Sequence, residues 1–101
     1  MGLRRVCHQS ELRPGGVKRL DDVDVAVFNV DGAFLAIKNI CTHADLPLSE
    51  GELAGETLIC PWHGACFSLR TGEALTLPAT EPVATFPVVL QGDEVFVEVP
   101  A

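Results

Sequence analysis

Two short pairs of cysteine and histidine are the residues in this sequence best suited to chemistry. Cys41 and His43 form a Cys-x-His pair, and after sixteen intervening residues Cys60 and His63 form a Cys-x-x-His pair. Thiolate and imidazole side chains are ligands suited to iron and zinc. Because the chain contains only three histidines, two such tight pairs are rarely accidental. The four residues therefore predict a metal centre.

The spacing within each pair lets both side chains reach the same centre. On an extended loop, residues two apart face the same side with their Cα atoms about 6.6 Å apart, which suits Cys41 and His43 as ligands. The second pair lies in a turn bracketed by Pro61 and Gly64, and such a turn can present both of its ligands toward the first pair. We therefore expect the two pairs to share one site.

A structural zinc site is the main competing interpretation of the four residues. Zinc sites of the Cys2His2 kind usually pair cysteine with cysteine and histidine with histidine, whereas each pair here is mixed. A thiol-redox turn at residues 60–63 is a weaker alternative, because the second cysteine of that motif is absent and no alternation of strands and helices surrounds it. Neither alternative fits the mixed pairs well.

Further short motifs accompany the two pairs, at residues 47–51, 59–64, 67, 69–72, 77–80 and 86–88. Together with the pairs they resemble the Rieske ferredoxins of bacterial aromatic-ring oxygenases, and the resemblance covers most of the chain from Val17 onward. It implies one two-iron, two-sulfur cluster. In that cluster Cys41 and Cys60 would bind the inner iron, while His43 and His63 would bind the outer iron.

The resemblance also implies a fold. The 101 residues would form a single all-β Rieske domain, in which an antiparallel β base carries a small cluster-binding lobe of two loops at about residues 41–66. Pro78 would begin a further loop that covers the cluster. A chain of this length has room for one domain only, which agrees with that arrangement.

The implied ligands determine how readily the cluster takes up an electron. Two ferric ions, two sulfides, two thiolates and two neutral imidazoles sum to zero charge, and reduction brings the cluster to −1. A cluster with four thiolates would already carry −2 when oxidised, so its reduction costs more. Histidine ligation therefore raises the reduction potential into a range of about −150 to +300 mV.

Three departures from the high-potential Rieske proteins of cytochrome bc complexes place this chain near the low end of that range. Those proteins carry a disulfide beside the cluster, at positions that are Leu46 and Trp62 here. They also hydrogen-bond the cluster sulfurs with a serine and a tyrosine, but the serine position is Ala65 and the chain has no tyrosine. Acidic residues disfavour reduction further; in this segment they are Asp45, Glu50, Glu52 and Glu56.

Charge is unevenly distributed along the chain. Five of the seven basic residues lie in the first nineteen positions, whereas from Leu20 onward Lys38 and Arg70 face thirteen acidic residues. Such a surface repels phosphate backbones, which argues against nucleic-acid binding. It favours a basic protein partner and speeds their encounter. A solvated acidic face that aids solubility explains the same charge equally well.

The compartment is expected to be the cytoplasm. The first eight residues contain two arginines but no apolar stretch of the kind a secretory signal needs, and no apolar run approaches the roughly 20 residues that span a bilayer. In a cytoplasmic chain, metal binding is a better expectation for cysteines than disulfides. Cys66 is expected to be a buried thiol without a ligand role, and Cys7 is expected to be structural or exposed.

The remaining sequence is typical of an all-β protein, with short apolar runs separated by Gly and Pro. The strongest hairpin signal joins residues 23–30 to 33–37 across Asp31-Gly32, a dipeptide suited to a type I′ turn. A second hairpin joins residues 86–90 to 95–99 across 91–94. In its last strand Val95, Val97 and Val99 share one face, as expected of a half-buried strand.

Shorter elements complete the prediction. Strands are expected at residues 3–7, 17–20, 57–59 and 67–69, turns at 13–16 and 70–73, and at most one helical turn at 49–53. Because the chain has few aromatic residues, much of the core is expected to depend on four of them: Phe28, Phe34, Phe86 and Phe96.

Together these features predict an electron carrier and not an enzyme. With His43 and His63 committed to the cluster, only His8 is left, which cannot supply the two histidines of an oxygen-activating iron site. The resemblance implies a monomer that takes electrons from a flavin-dependent reductase and delivers them to a terminal oxygenase. A Rieske-like small subunit of an assimilatory nitrite reductase is the first alternative, and a structural zinc module is the second.

Overall fold

The computed structural model describes residues 2–40, 48–60, 65–75 and 82–99, and these ranges form β-strands and two short 3₁₀ helices. The predicted all-β class is confirmed. Within these ranges no helix is long and apolar enough to span a membrane. The strands are β1 (Gly2–His8), β2 (Val17–Leu20), β3 (Val25–Val30), β4 (Ala33–Lys38), β5 (Glu52–Ala54), β6 (Thr57–Ile59), β7 (Cys66–Ser68), β8 (Thr85–Phe86), β9 (Val88–Gln91) and β10 (Glu94–Val99), and the 3₁₀ helices are Gln9–Glu11 and Leu48–Glu50.

The strands form three antiparallel sheets. One sheet has the order β1-β10-β9 and a second has the order β2-β3-β4-β8; we call these two sheets the base. β5, β6 and β7 form a third sheet, here called the small sheet, in which each strand has three residues. The chain thus has the antiparallel base and the smaller companion part that the Rieske resemblance implies.

The hairpin between β3 and β4 forms as predicted. Asp31 and Gly32 have φ angles of 50° and 94°, the positive pair that a type I′ turn requires. β3 begins at Val25 and not at residue 23 as expected. The reason is local, because Asp24 has a φ of 53° and belongs to the turn that follows β2.

The predicted strand at residues 86–90 is divided between two sheets. Phe86 ends β8 and pairs with Ala36 of β4, whereas Val88 begins β9 and pairs with Val97 of β10. Pro87 separates them because it has no N–H to donate to a ladder. The hairpin to β10 is confirmed, but its strands extend to Gln91 and Glu94, which leaves a turn of two residues.

The shorter elements were predicted unevenly. The strands at 17–20 and 57–59 are confirmed at their exact bounds, and the strand at 3–7 lies within β1. The strand expected at 67–69 occupies 66–68 as β7. The helical turn expected at 49–53 is a 3₁₀ helix at Leu48–Glu50, and β5 then begins at Glu52. Strand β5 was missed because acidic and small residues have low strand propensity.

The core lies on both faces of β3, all six residues of which are buried. Ala26 and Phe28 face a cluster of apolar residues that includes Leu58 and Phe67 of the small sheet. Val25 and Val27 face the opposite way and pack in a second cluster with Val95, Val97 and Val99 of β10. The alternation along β3 therefore joins the small sheet to the base through a shared apolar layer.

The aromatic core prediction is only partly right. Phe28 is buried as expected, but Phe34, Phe86 and Phe96 are only partly buried. Phe96 points away from the valines of β10, because successive residues of a strand face opposite sides. The fully buried Phe67 was not among the four aromatic residues named for the core. It anchors the small sheet in the cluster shared with β3.

Candidate metal centre

The four predicted ligands lie on two segments of the chain. Cys41 and His43 belong to residues 41–47, and His63 belongs to residues 61–64; these three lie outside the residues that the structure describes. Cys60 is described and follows directly after β6. The structure therefore describes the site through Cys60 and through the residues that border the two segments.

Cys60 begins a segment whose two ends are joined by a hydrogen bond. Ile59 and Cys66 form the last pair between β6 and β7, and the Cys60 N–H donates to the Ala65 carbonyl oxygen at 2.7 Å. Cys60 is 1% exposed and Ala65 is fully buried. The thiol is thus held away from water at one end of residues 60–65, the segment that contains the second ligand pair.

The first ligand segment is closed at its own base by two polar residues. Asn39 follows β4 and Ser49 lies in the second 3₁₀ helix, so residues 41–47 lie between them. The Ser49 N–H donates to Asn39 Oδ1 at 2.7 Å, and Asn39 Nδ2 donates to Ser49 Oγ at 3.0 Å. The chain therefore leaves and re-enters the described structure at neighbouring points.

Gly51 brings the two ligand segments together. A Cβ atom on Gly51 would lie 2.5 Å from the Ile59 carbonyl oxygen and 3.0 Å from the Leu48 carbonyl oxygen. Real Cβ atoms do not approach so closely, so only glycine allows this packing. Leu48 directly follows the first segment and Ile59 directly precedes Cys60. Both segments consequently begin or end beside the same glycine.

A third segment, residues 76–81, is also anchored here. The Leu75 N–H donates to the Cys66 carbonyl oxygen, and the Val83 N–H donates to the Gly72 carbonyl oxygen, both at 2.8 Å. Gly72 has a φ of 78°, and a Cβ there would overlap the Val83 carbonyl oxygen. The prediction that Pro78 begins a covering loop lies outside the described residues. One of its anchors, Cys66, directly follows Ala65, the hydrogen-bond partner of Cys60.

The charge beside these segments is acidic. Arg70 bonds Glu56 through two nitrogens, and this contact lowers the pKa of Glu56 and raises that of Arg70. Glu50 and Glu52 are exposed, and neither takes part in an ion pair among the described residues. Arg70, the one lysine or arginine after Lys38 in the sequence, is therefore neutralised locally by Glu56, while Glu50 and Glu52 keep their negative field.

The other two cysteines have different surroundings. Cys7 is 3% exposed in the second core cluster, and burial raises the pKa of its thiol, which makes it an inert structural residue. Cys66 was expected to be buried but is only partly so. In β7 the central Phe67 takes the inward position, so Cys66 and Ser68 face the other side.

The donors fit an iron–sulfur cluster. Within the described ranges no three His, Cys, Asp or Glu side chains come close enough to hold a metal ion. Three of the four predicted ligands lie outside those ranges. A buried cysteine in a closed turn is the setting that a thiolate ligand to a water-excluded cluster needs. Four residues were not predicted as parts of the site: Asn39, Ser49, Gly51 and Gly72. For Asn39 the one available signal was a polar residue two positions before a predicted ligand.

Comparison with known proteins gives a domain match over most of the chain. The model of the Rieske [2Fe-2S] domain matches residues 3–87. The 3-phenylpropionate/cinnamic acid dioxygenase ferredoxin subunit of Photorhabdus laumondii is 43% identical over 96 residues, which cover 93% of this chain and 91% of that protein. All four predicted ligands lie inside the matched domain.

Solved structures give the same result. A chain in the complex of reduced oxygenase and oxidised ferredoxin of carbazole 1,9a-dioxygenase superposes with a TM-score of 0.89 at 37% identity, covering 94% of this chain and 91% of that chain. A putative small subunit of a nitrite reductase superposes with a TM-score of 0.77 at 20% identity, covering 98% and 100%; at that identity the likeness shows a shared fold alone. This chain belongs to the Rieske [2Fe-2S] domain family.

Proposed function

We propose that this chain is a soluble, monomeric ferredoxin that binds one Rieske-type [2Fe-2S] cluster through Cys41, His43, Cys60 and His63. When bound, the cluster takes up and releases single electrons. The chain receives these electrons from a flavin-dependent reductase in the cytoplasm and delivers them to a terminal oxygenase. The whole chain acts as one domain, and it carries out no substrate chemistry of its own.

The observation that carries this proposal is the convergence of the two ligand segments at Gly51. The glycine packs against the carbonyl oxygens of Leu48 and Ile59, which border the segments with the first and second ligand pairs. One pair alone would be an incomplete site. Two mixed pairs that leave from a common point supply the two thiolates and two imidazoles of a Rieske cluster.

The protein's own residues have three tasks in this function. The buried Cys60 and Ala65 exclude water from the thiolate side of the site. The hydrogen bonds between Asn39 and Ser49 and the close packing at Gly51 fix the points from which the two ligand segments extend. Exposed acids at Glu50 and Glu52 attract a basic docking patch on the partner and speed the encounter at low salt.

The oxygenase role is favoured over the nitrite reductase alternative by the comparison proteins. The relative at 43% identity is a dioxygenase ferredoxin subunit, and the solved complex at 37% identity joins a ferredoxin to an oxygenase. The nitrite reductase neighbour is only 20% identical. Purification separates the two roles, because a carrier is isolated as a free monomer whereas a reductase subunit remains in a sirohaem-containing complex.

Metal analysis tests the cluster itself. Anaerobically purified protein should contain about two irons and two acid-labile sulfides per chain, and dithionite should produce the EPR signal of a histidine-ligated cluster. His43→Ala or His63→Ala should abolish that signal, whereas His8→Ala, outside both pairs, should preserve it. Stoichiometric zinc without sulfide would establish the structural zinc module instead.

A further inference from the structure

Asn39 has the most unusual environment of any polar residue next to the candidate metal centre. It is 6% exposed, and Asn29 is the one other polar side chain buried among the described residues. Within the part of the chain that the structure describes, the Asn39 side chain forms two hydrogen bonds, both with Ser49, at 2.7 and 3.0 Å. Its backbone N–H donates to the Asp24 carbonyl oxygen at 2.6 Å. Asn39 therefore ties the end of β4 both to the turn before β3 and to the second 3₁₀ helix.

We propose that Asn39 is a positioning residue for the ligand pair Cys41 and His43, and that it acts through its two bonds to Ser49. This inference rests on the proposed function, because only a cluster gives residues 41–47 a ligand pair to position. Asn39 stands two residues before Cys41, and Ser49 stands two residues after the segment ends. The pair fixes both ends of the segment at once.

Closing the two ends of a segment in advance lowers the entropy cost of binding a cluster through its ligands. A loop with unrestrained ends must be ordered when its ligands bind, and that ordering subtracts from the binding free energy. The Asn39–Ser49 pair supplies the closure before the cluster is bound. Asn39 is buried, and both polar atoms of its carboxamide are hydrogen-bonded to Ser49, which favours a rigid connection between the two residues.

The chemistry of the carboxamide explains why the residue is asparagine. The side chain at position 39 must accept from the Ser49 N–H and donate to the Ser49 hydroxyl oxygen, and one carboxamide does both. An ionised aspartate would keep the acceptor, lose the donor and add a buried negative charge. Such a charge is unfavourable beside a segment that already contains Asp45.

The base offers a matched control. Asn29 is 4% exposed and also forms two side-chain hydrogen bonds, to the Leu12 carbonyl oxygen and from the Gly32 N–H, both at 2.7 Å. It holds the β3–β4 turn against the residues after the first 3₁₀ helix. Asn29→Ala and Asn39→Ala thus remove the same group, with the same number of bonds, from similarly buried positions.

The test compares cluster release in the holoprotein and in three variants. Cluster loss to a chelator is followed by visible absorbance, the reduced cluster is examined by EPR, and unfolding is followed by urea titration. Asn39→Ala should release the cluster about tenfold faster, the scale found when partners of metal ligands are removed, and should shift the EPR g values. Ser49→Ala should have a smaller effect in the same direction, because the bond from the Ser49 N–H remains.

Asn29→Ala should lower the urea midpoint while keeping wild-type release and wild-type g values. Equal release rates in Asn39→Ala and Asn29→Ala would overturn the proposal, since general destabilisation would then explain both. If Asn39→Ala does not fold, Ser49→Ala decides, and wild-type release with wild-type g values in that variant overturns it. A wild-type protein that binds no iron–sulfur cluster would refute the proposed function itself, before any variant is compared.

Discussion

The base and the small sheet reach their structures in different ways. In the base, β3 buries six consecutive residues and β10 buries a row of three valines, so apolar burial alone gives these strands a large driving force. The small sheet has strands of only three residues. The segments that lead into and out of it are held by the hydrogen bonds of Asn39 and by close packing at Gly51 and Gly72.

The difference indicates a division of labour. The base has an apolar cluster of its own between β3 and β10, whereas the segments around the small sheet depend on a few specific contacts and, in the proposed function, on the cluster. Metal binding in such a region contributes directly to folding free energy. Each of the following changes weakens one region or the other, and the largest expected effect comes first.

Removal of the cluster should separate the two regions most clearly. In hydrogen exchange on holo and apo protein, amides of residues 41–66 should lose far more protection than those of β3 and β10. The proposed cluster ligands lie in this range, and the small sheet has strands of only three residues, so cluster loss should let this part open locally. Equal protection of residues 41–66 in both forms would show that this part folds without its metal.

Phe67→Ala should be the most damaging single core substitution on the small-sheet side. Phe67 is fully buried and packs in the cluster shared with β3. Truncation of such a phenylalanine costs about 3–5 kcal/mol. Phe96→Ala, on the partly exposed face of β10, is the control and should cost clearly less. Urea unfolding of the holoprotein measures both, and equal losses would contradict the role given to Phe67.

Gly72→Ala should disturb the anchor of residues 76–81. Gly72 and Gly55 both have positive φ angles, so alanine at either position carries a backbone cost of about 1–2 kcal/mol. Only at Gly72 does the new Cβ overlap another residue, the Val83 carbonyl oxygen, whereas nothing lies within 4 Å at Gly55. Gly72→Ala should therefore destabilise the protein more than Gly55→Ala in urea unfolding; identical costs would argue against the anchor.

Charge reversal at the small sheet should give the smallest effect. Glu52→Lys places a cation beside the proposed docking surface, and electron delivery to the terminal oxygenase should slow several-fold at low salt, with the difference shrinking as salt screens the charges. Asp93→Lys, in the β9–β10 turn of the base, should leave the rate unchanged. Stopped-flow kinetics tests both, and equal slowing by the two variants would mean that net charge alone matters.

The same contrast explains what could be predicted from the sequence. Residues 17–20, 57–59 and the Asp31-Gly32 turn follow local rules of alternation and turn chemistry, so they were predicted at or near their observed bounds. The resemblance identified the family and predicted the ligand pairs. Both depend on residues close together in the sequence.

Features that depend on distant contacts were not predictable. Phe67 packs in the core cluster with Phe28 and Leu58, but its strand of three residues is too short for alternation to show which side is buried. Phe96, by contrast, lies opposite the face of the three valines in its strand. The carboxamide of Asn39 is satisfied by a residue ten positions away. Pro87 marks a break in strand pairing, but only the two neighbouring sheets show why the chain changes partner there.

A redox titration of the cluster tests the central claim most directly. The Ala65 side chain is fully buried beside Cys60 and brings no hydroxyl to the site, and the chain has no tyrosine. The cluster should therefore have a midpoint potential near the low end of the Rieske range, about −150 mV. Ala65→Ser should raise it by adding a donor that stabilises the reduced state. A wild-type midpoint above about +100 mV, well inside the high-potential part of that range, would contradict the role of an oxygenase ferredoxin.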